Sequence, residues 1–156
     1  MEKIASFTID HLDLLPGLYL SRRDEKDGVT VTTFDLRFTA PNREPAMDIA
    51  ALHTVEHLFA TFMRNSSAAD DVVYFGPMGC RTGCYLILFG EKTPEDALPL
   101  VLAACDFTIG FEGDIPGAKA AECGNYLEHN LSLAKYYTAR YKSELLTHRR
   151  FTYPEK

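Results

Sequence analysis

Apolar and polar positions alternate along the segment 29–38, with Phe34, Leu36 and Phe38 in one set and Asp35 and Arg37 in the other. A period of two places the two sets on opposite faces of a β-strand. A strand is also predicted over 18–23, and the intervening segment 24–28 ends in Asp-Gly, a pair typical of tight hairpin turns. Arg37 is therefore expected to point away from the main core, to solvent or into a cleft.

The pattern changes to helical spacing after Asp48, which is suited to an N-cap position. A helix is predicted to run from there to about Arg64, and its core-facing positions recur three or four residues apart at Leu52, Val55, Phe59, Phe62 and Met63.

Short apolar runs at 72–75 and 84–89 predict two more strands. Thr93, followed by Pro94, marks the start of a second helix that is expected to end near Gly110. A last helix is predicted over about 124–147. This order indicates an α+β fold with a mainly antiparallel sheet packed with helices, in a single domain spanning residues 1–156.

Composition narrows the function classes. The 156-residue chain has a formal net charge of -6, which disfavours non-specific nucleic-acid binding because that requires a basic surface. The N-terminus lacks the apolar region of a signal peptide, so a cytoplasmic location with reduced cysteines is expected.

His53 and His57 are four residues apart on the predicted first helix and therefore share one face. Two imidazoles on one face can bind a single metal ion, and Glu56 reaches the same region. The pattern H-x-x-E-H is also the signature of inverzincin peptidases. A metallopeptidase, a non-enzymatic module with a closed four-ligand site, and two solvated surface histidines all remain alternatives.

Cys80 lies between Gly79 and Gly83 in a turn at a strand end. The neighbouring cation Arg81 favours thiolate formation, and an exposed, partly ionised thiol serves as a base, an acid or a nucleophile. The alternative is a small buried residue in a turn. Cys84 and Cys105 lie in apolar segments and are expected to belong to the core.

Cys123 follows a Pro/Gly-rich loop and precedes the predicted last helix. As a ligand, its thiolate would complete a His₂Cys site with a fourth position left for water or substrate, as in catalytic zinc sites. Such a donor set suits zinc, iron(II) or cobalt(II). The alternative is a cysteine near a helix cap with no ligand role.

Together these segments resemble S-ribosylhomocysteine lyase, the LuxS family of bacterial autoinducer-2 synthesis. The resemblance covers nearly the whole chain and is carried by Ser6 to His11, Phe34 to Phe38, His53 to His57, Gly76 to Gly83, and Cys123-Gly124. His-Thr-x-Glu-His followed by Pro-Met-Gly-Cys-x-Thr-Gly is its most specific part.

The resemblance implies a LuxS/metallohydrolase-like fold and release of homocysteine from S-ribosylhomocysteine. It implies one iron(II) or zinc ion on His53, His57 and Cys123, with cobalt(II) able to substitute. It also implies a homodimer with active sites at the interface, without nucleic acid or membrane partners. Glu56 and Cys80 would be the acid/base pair, and the substrate contacts would be Ser6, His11 and Arg37.

Three positions depart from the family pattern. Tyr74 stands where an acidic residue is expected to help hold the ribosyl hydroxyls. Asn125 stands in place of a usual Gln, and Cys84 stands at a position that is often aromatic.

Overall fold

The structure, a computed structural model, describes residues 2–154; Met1, Glu155 and Lys156 of the predicted domain lie outside the described residues. Along this range the α+β order is β1 (Gly17–Lys26), β2 (Val29–Arg37), α1 (Ile49–Arg64), β3 (Val72–Pro77), β4 (Gly83–Phe89), α2 (Pro94–Gly110) and α3 (Leu131–His148). Short 3₁₀ turns lie at Ala5–Phe7 and Ala69–Asp71.

The hairpin between β1 and β2 has a tighter turn than the sequence predicts. Asp27 and Gly28 adopt φ values of 52° and 79°, which suit a two-residue hairpin loop. Lys26 therefore pairs directly with Val29, and the polar segment before the turn belongs to β1.

The four strands form an antiparallel sheet in the order β1-β2-β4-β3. One row of Cα partners, Tyr19, Asp35, Tyr85 and Gly76, crosses all four strands on the outer face. The opposite face carries buried Phe34 and Leu36, so the predicted division of β2 between core and outer positions is confirmed.

α1 begins where the sequence predicts. The Asp48 side chain accepts a hydrogen bond from the Ala51 amide, and the helix ends at Arg64. Four of the five predicted core positions of this helix are buried, and the fifth, Phe62, is partly buried against the core. This packing holds α1 against the sheet and directs its polar face toward the loops at one end of β3 and β4.

The last helix begins later than predicted, at Leu131 instead of about Gly124. The Asn130 side chain accepts a hydrogen bond from the Leu133 amide and caps the helix. The preceding loop makes contacts with α1 that a helix there would remove, since the Glu128 carbonyl oxygen accepts from His53.

The core lies between the sheet and the three helices. Cys84 and Cys105 both belong to it, as predicted, and burial raises the pKa of the Cys105 thiol to about 12. None of the helices in the described part of the chain is long and apolar enough to cross a membrane.

Candidate metal and catalytic site

His53 and His57 stand one turn apart on α1, with ring centroids 4.7 Å apart and ring planes at 84°. Each ring donates a hydrogen bond from Nδ1 to a carbonyl oxygen. His53 donates to Glu128 at 2.9 Å, and His57 donates to Pro116 at 2.7 Å. These bonds fix the tautomer and leave each Nε2 with a free lone pair, as in metal-binding histidines.

Cys123 joins this pair from the loop between α2 and α3. Its sulfur lies 3.4 Å from Nε2 of His53. Tetrahedral zinc bonds to nitrogen and sulfur place such ligand atoms about 3.3–3.6 Å apart, so this distance fits two ligands of one ion. The Asn125 amide donates to the same sulfur at 3.4 Å and helps to fix its position.

His129 is a fourth member of the cluster, and sequence reasoning missed it. One ligand atom from each of His53, His57, Cys123 and His129 lies within 4.8 Å of the others. The predicted helix from Gly124 placed His129 inside regular structure, whereas it lies in the loop that ends at the Asn130 cap. Burial, and then the nearby His53 and His57, lower the pKa of His129 to about 4, so it is neutral at physiological pH.

The donor set of imidazole nitrogens and a thiolate fits a divalent transition metal such as zinc, iron(II) or cobalt(II), and disfavours calcium or magnesium. Within the described residues, this metal-ligand cluster contains no carboxylate. A metallopeptidase with the H-x-x-E-H pattern usually takes its third ligand from a downstream Glu, and no Glu of the described residues belongs to this cluster.

Glu56 lies beside the cluster and lines a cleft. His53, Met78, Gly79, Arg81 and Asn125 contribute to the same cleft. Its half-buried carboxylate stands next to the metal cluster without belonging to it, which suits an acid/base group better than a ligand.

Cys80 occupies the turn between β3 and β4 and is exposed. The backbone bond from Arg81 N to Met78 O closes this turn, and Arg81 adopts a φ of 58°. The alternative that Cys80 is a buried structural residue is therefore wrong.

The Cys80 sulfur belongs to a hydrogen-bonded network on the outer side of the sheet. Thr82 Oγ1 lies 3.2 Å from the sulfur, and Arg37 Nη1 lies 3.9 Å from it. Burial raises the pKa of Cys80, but the hydrogen bonds from Thr82 and the Arg37 charge outweigh this effect and lower it. Sequence reasoning assigned no role to Thr82, although the Cys-x-Thr-Gly motif contains it.

Arg37 is buried and does not point to solvent, with 2% of its surface exposed. It donates to Asp35 Oδ2 at 2.5 Å, and Tyr153 donates to the same oxygen at 2.9 Å. Burial lowers the pKa of Arg37, but Asp35 outweighs burial and raises it. The cation that contacts the Cys80 sulfur is therefore Arg37, whereas the sequence pointed to the adjacent Arg81.

The N-terminal candidates reach two cavities. His11 lines one with Cys80 and Thr82, and its Nδ1 donates to the Ile9 carbonyl oxygen at 3.0 Å. Ser6 lines another on the outer sheet face, where Tyr74 and Tyr85 are also found. His11 is therefore close to the Cys80 network, whereas Ser6 is placed apart from it.

Tyr74, the main departure from the family pattern, lies on the same outer face and is 47% exposed. Its ring covers Gly76, because a Cβ on Gly76 would meet the Tyr74 hydroxyl oxygen at 2.0 Å. It lines the cavity that contains Ser6 and not the cleft that contains Glu56.

Comparison with known proteins shows the family of the chain. The family model for S-ribosylhomocysteinase (LuxS) matches residues 4–152. The chain is 53% identical to the S-ribosylhomocysteine lyase of Clostridium beijerinckii over 158 aligned residues, which cover 99% of each protein. It is 52% identical to the lyase of Phocaeicola vulgatus over 95% of this chain and 92% of that protein. The chain therefore belongs to the S-ribosylhomocysteine lyase (LuxS) family.

Proposed function

We propose that the chain is a carbon–sulfur lyase that cleaves S-ribosylhomocysteine to homocysteine and 4,5-dihydroxy-2,3-pentanedione, the autoinducer-2 precursor. The observation that carries this proposal is the His53–Cys123 ligand distance of 3.4 Å beside a cleft lined by Glu56. Membership of the family over residues 4–152 selects this reaction among those that such a site allows.

The reaction moves the substrate carbonyl from C1 to C2 and then to C3, after which β-elimination across C4 and C5 expels homocysteine. Each migration takes a proton from one carbon and returns a proton to its neighbour. Two groups that both accept and donate protons are required. Glu56 and Cys80 are the acid/base pair.

His53, His57 and Cys123 hold one divalent ion per subunit, which is iron(II) in the cell and is replaceable by zinc(II) or cobalt(II). When bound, the ion supplies a Lewis acid that stabilises negative charge on substrate oxygens. The Nδ1 bonds to carbonyl oxygens support the two imidazoles as ligands, because they keep Nε2 unprotonated.

Cys80 acts from the thiolate form. The Thr82 hydroxyl and the Arg37 guanidinium stabilise its negative charge, and a thiolate at neutral pH accepts a proton from a substrate carbon. Glu56 has no ion-pair partner within 4 Å among residues 2–154, so its carboxylate is available for the second proton transfer.

Ser6, His11 and Arg37 contact the substrate, and two copies of the chain form the complete sites at their interface. Cys80 and Glu56 line different cavities of one chain, which supports assembly of the site by a second subunit. Phe7 in the N-terminal segment and Tyr74 on the outer sheet face are large apolar side chains that are exposed in one chain, and a second subunit would cover them. Light scattering after gel filtration should give the mass of a dimer.

The chain functions as a single cytoplasmic domain. Its product serves quorum sensing, and homocysteine release serves the activated methyl cycle.

The decisive experiment supplies S-ribosylhomocysteine to metal-loaded protein prepared without oxygen and measures the free thiol released. Cys80→Ala and Glu56→Gln should each abolish release while retaining the metal. Cys105→Ala is the matched control, because it also removes one thiol but from the core inside α2. Full metal occupancy without homocysteine release by the unmodified chain would refute the proposal.

A further inference from the structure

Three consecutive residues, Glu128, His129 and Asn130, contact the turn of α1 that carries His53. The Glu128 carbonyl oxygen accepts from His53 Nδ1 at 2.9 Å. The His129 ring stacks on the His53 ring with centroids 4.1 Å apart and planes at 24°. Both His129 Nδ1, at 3.1 Å, and the Asn130 amide, at 3.0 Å, bond to Thr54 Oγ1. We call these three residues the 128–130 segment.

The Thr54 hydroxyl determines the tautomer of His129. A hydroxyl has one proton to donate and two lone pairs to accept with. Thr54 donates its proton to the Ala50 carbonyl oxygen at 2.9 Å and accepts from the Asn130 amide. His129 Nδ1 must therefore be the donor in the remaining contact, and neutral His129 carries its lone pair on Nε2.

The His129 Nε2 atom is buried and has no hydrogen-bond partner among the described residues. A buried lone pair without a partner is costly. Two roles would explain the position of His129 next to His53 and His57. His129 is either a fourth ligand that closes the metal site, or a residue that orients a ligand.

The ring geometry separates these roles. A metal ion lies close to the plane of an imidazole that binds it, at about 2.0–2.1 Å from the nitrogen. The His53 and His57 planes cross at 84° and allow one ion to lie near both. The planes of His53 and His129 are only 24° apart, with ring centroids 4.1 Å apart, so one ion cannot lie close to both planes at bonding distance. The His57 and His129 planes cross at 73°, but the Cys123 sulfur lies 3.4 Å from His53 Nε2, which selects His53 as the second imidazole ligand.

We propose that His129 is a positioning residue for His53 and not the fourth metal ligand. Its ring face holds the plane of His53, and its Nδ1 bond to Thr54 ties that ring to α1. The fourth coordination position thereby stays open for substrate. This inference rests on the proposed metal site formed by His53, His57 and Cys123.

The first test counts the ligands of the unmodified, cobalt-loaded protein by X-ray absorption, and therefore depends on no variant. The expected first shell contains two imidazole nitrogens and one sulfur. A shell with three imidazoles and one sulfur would overturn the proposal and make His129 a ligand.

The second test measures the affinity for zinc and cobalt by competition with a chromophoric chelator. His129→Ala should bind each ion roughly 10- to 100-fold more weakly, as is common when a residue that supports a ligand is lost. Two variants separate the contributions. His129→Phe keeps a ring face on His53, and His129→Asn keeps a donor for Thr54, so both should recover part of the affinity.

At saturating cobalt, the visible absorption bands of all three variants should match those of the unmodified protein, because the ligand set is unchanged. An unchanged affinity in His129→Ala, with correct folding by circular dichroism, would show that the residue positions nothing. If His129→Ala does not fold, the same comparison is made with the Phe and Asn variants.

His53→Ala distinguishes failure of this inference from failure of the metal site itself. Loss of binding in His53→Ala with wild-type affinity in every His129 variant would reject only the positioning role. Wild-type binding by His53→Ala would reject the proposed ligand set, and with it the inference.

Discussion

Arg37 Nη1 donates a buried hydrogen bond to Thr82 Oγ1, and the two atoms are 2.5 Å apart. Because this bond occupies a lone pair of the hydroxyl oxygen, the Thr82 proton is free to point at the Cys80 sulfur, 3.2 Å away. The guanidinium charge thus stabilises the thiolate both directly and through Thr82. The network explains why the pKa of an exposed cysteine is lowered and not raised.

Removing the hydroxyl in Thr82→Val should raise the pKa of Cys80. A hydrogen bond to a charged group contributes roughly 1.5–3 kcal/mol. Since the sulfur is partly solvated, we expect a rise of about one pKa unit. The thiolate forms above the pKa, so the pH profile of alkylation by iodoacetamide should move to higher pH. Thr82→Ser keeps the hydroxyl and should retain the wild-type profile, and an unshifted profile in Thr82→Val would refute the role of this bond.

The two arginines near Cys80 should differ in their effect on the thiol. Arg37→Lys retains a cation for buried Asp35, but an ammonium group lacks the planar fork that bonds Asp35 and Thr82 together. We expect the pKa of Cys80 to rise in this variant. Arg81→Ala should leave the Cys80 titration unchanged, because the Arg81 side chain is exposed and the pKa of Cys80 is lowered by Thr82 and Arg37. A shift in Arg81→Ala that equals the shift in Arg37→Lys would contradict the assignment.

Local patterns in the sequence predict the elements that carry most of the candidate site. The helical spacing of Leu52, Val55 and Phe59, which are buried, also determines which face of α1 remains for His53 and His57. The alternation in β2 likewise places Arg37 on the face opposite the core. Both predictions depend on neighbours within one element, where the periodicity of the chain is sufficient.

The roles of His129 and Thr82 depend on contacts between distant segments, which the pattern of the sequence does not encode. His129 meets His53 only because the chain stays non-helical up to Asn130. The hydrogen bond between His53 and the Glu128 carbonyl oxygen, which joins residues 75 positions apart, stabilises this loop. The Cys80 network likewise joins β2 to the β3–β4 turn. Sequence reasoning therefore found the reactive groups more readily than the residues that orient them.

Gly117 should be required for the position of the His57 ring. It has a φ of 73°, and an added Cβ would lie 3.2 Å from His57 Nδ1, the atom that donates to the Pro116 carbonyl oxygen. Gly117→Ala should displace this ring and weaken zinc binding by about tenfold, at the lower end of the effects of disturbing groups around metal ligands. Chelator competition measures the change.

Gly113→Ala is the matched control for this variant. Gly113 also has a positive φ, of 98°, but its added Cβ would meet nothing within 4 Å. Both variants should lose roughly 1 kcal/mol of stability from the unfavourable backbone conformation. Only Gly117→Ala should lose metal affinity, and equal zinc affinities in the two variants would show that the His57 contact is unimportant.

Removing the metal should lower the thermal stability of the wild-type protein, because an ion that binds only the folded state stabilises that state. At a free ion concentration of about 100 times Kd, the stabilisation is about 2.7 kcal/mol, which corresponds to roughly 5–10 °C in Tm for a chain of this length. Differential scanning calorimetry with zinc and with excess chelator measures the difference.

In Cys123→Ala the difference in Tm between zinc and chelator should largely disappear, because the sulfur ligand 3.4 Å from His53 Nε2 is lost. Cys105→Ala removes a buried thiol and should lower Tm in both conditions while keeping the zinc-dependent difference. An equal zinc-dependent rise in Cys123→Ala and in the wild-type protein would mean that the stabilising ion binds elsewhere.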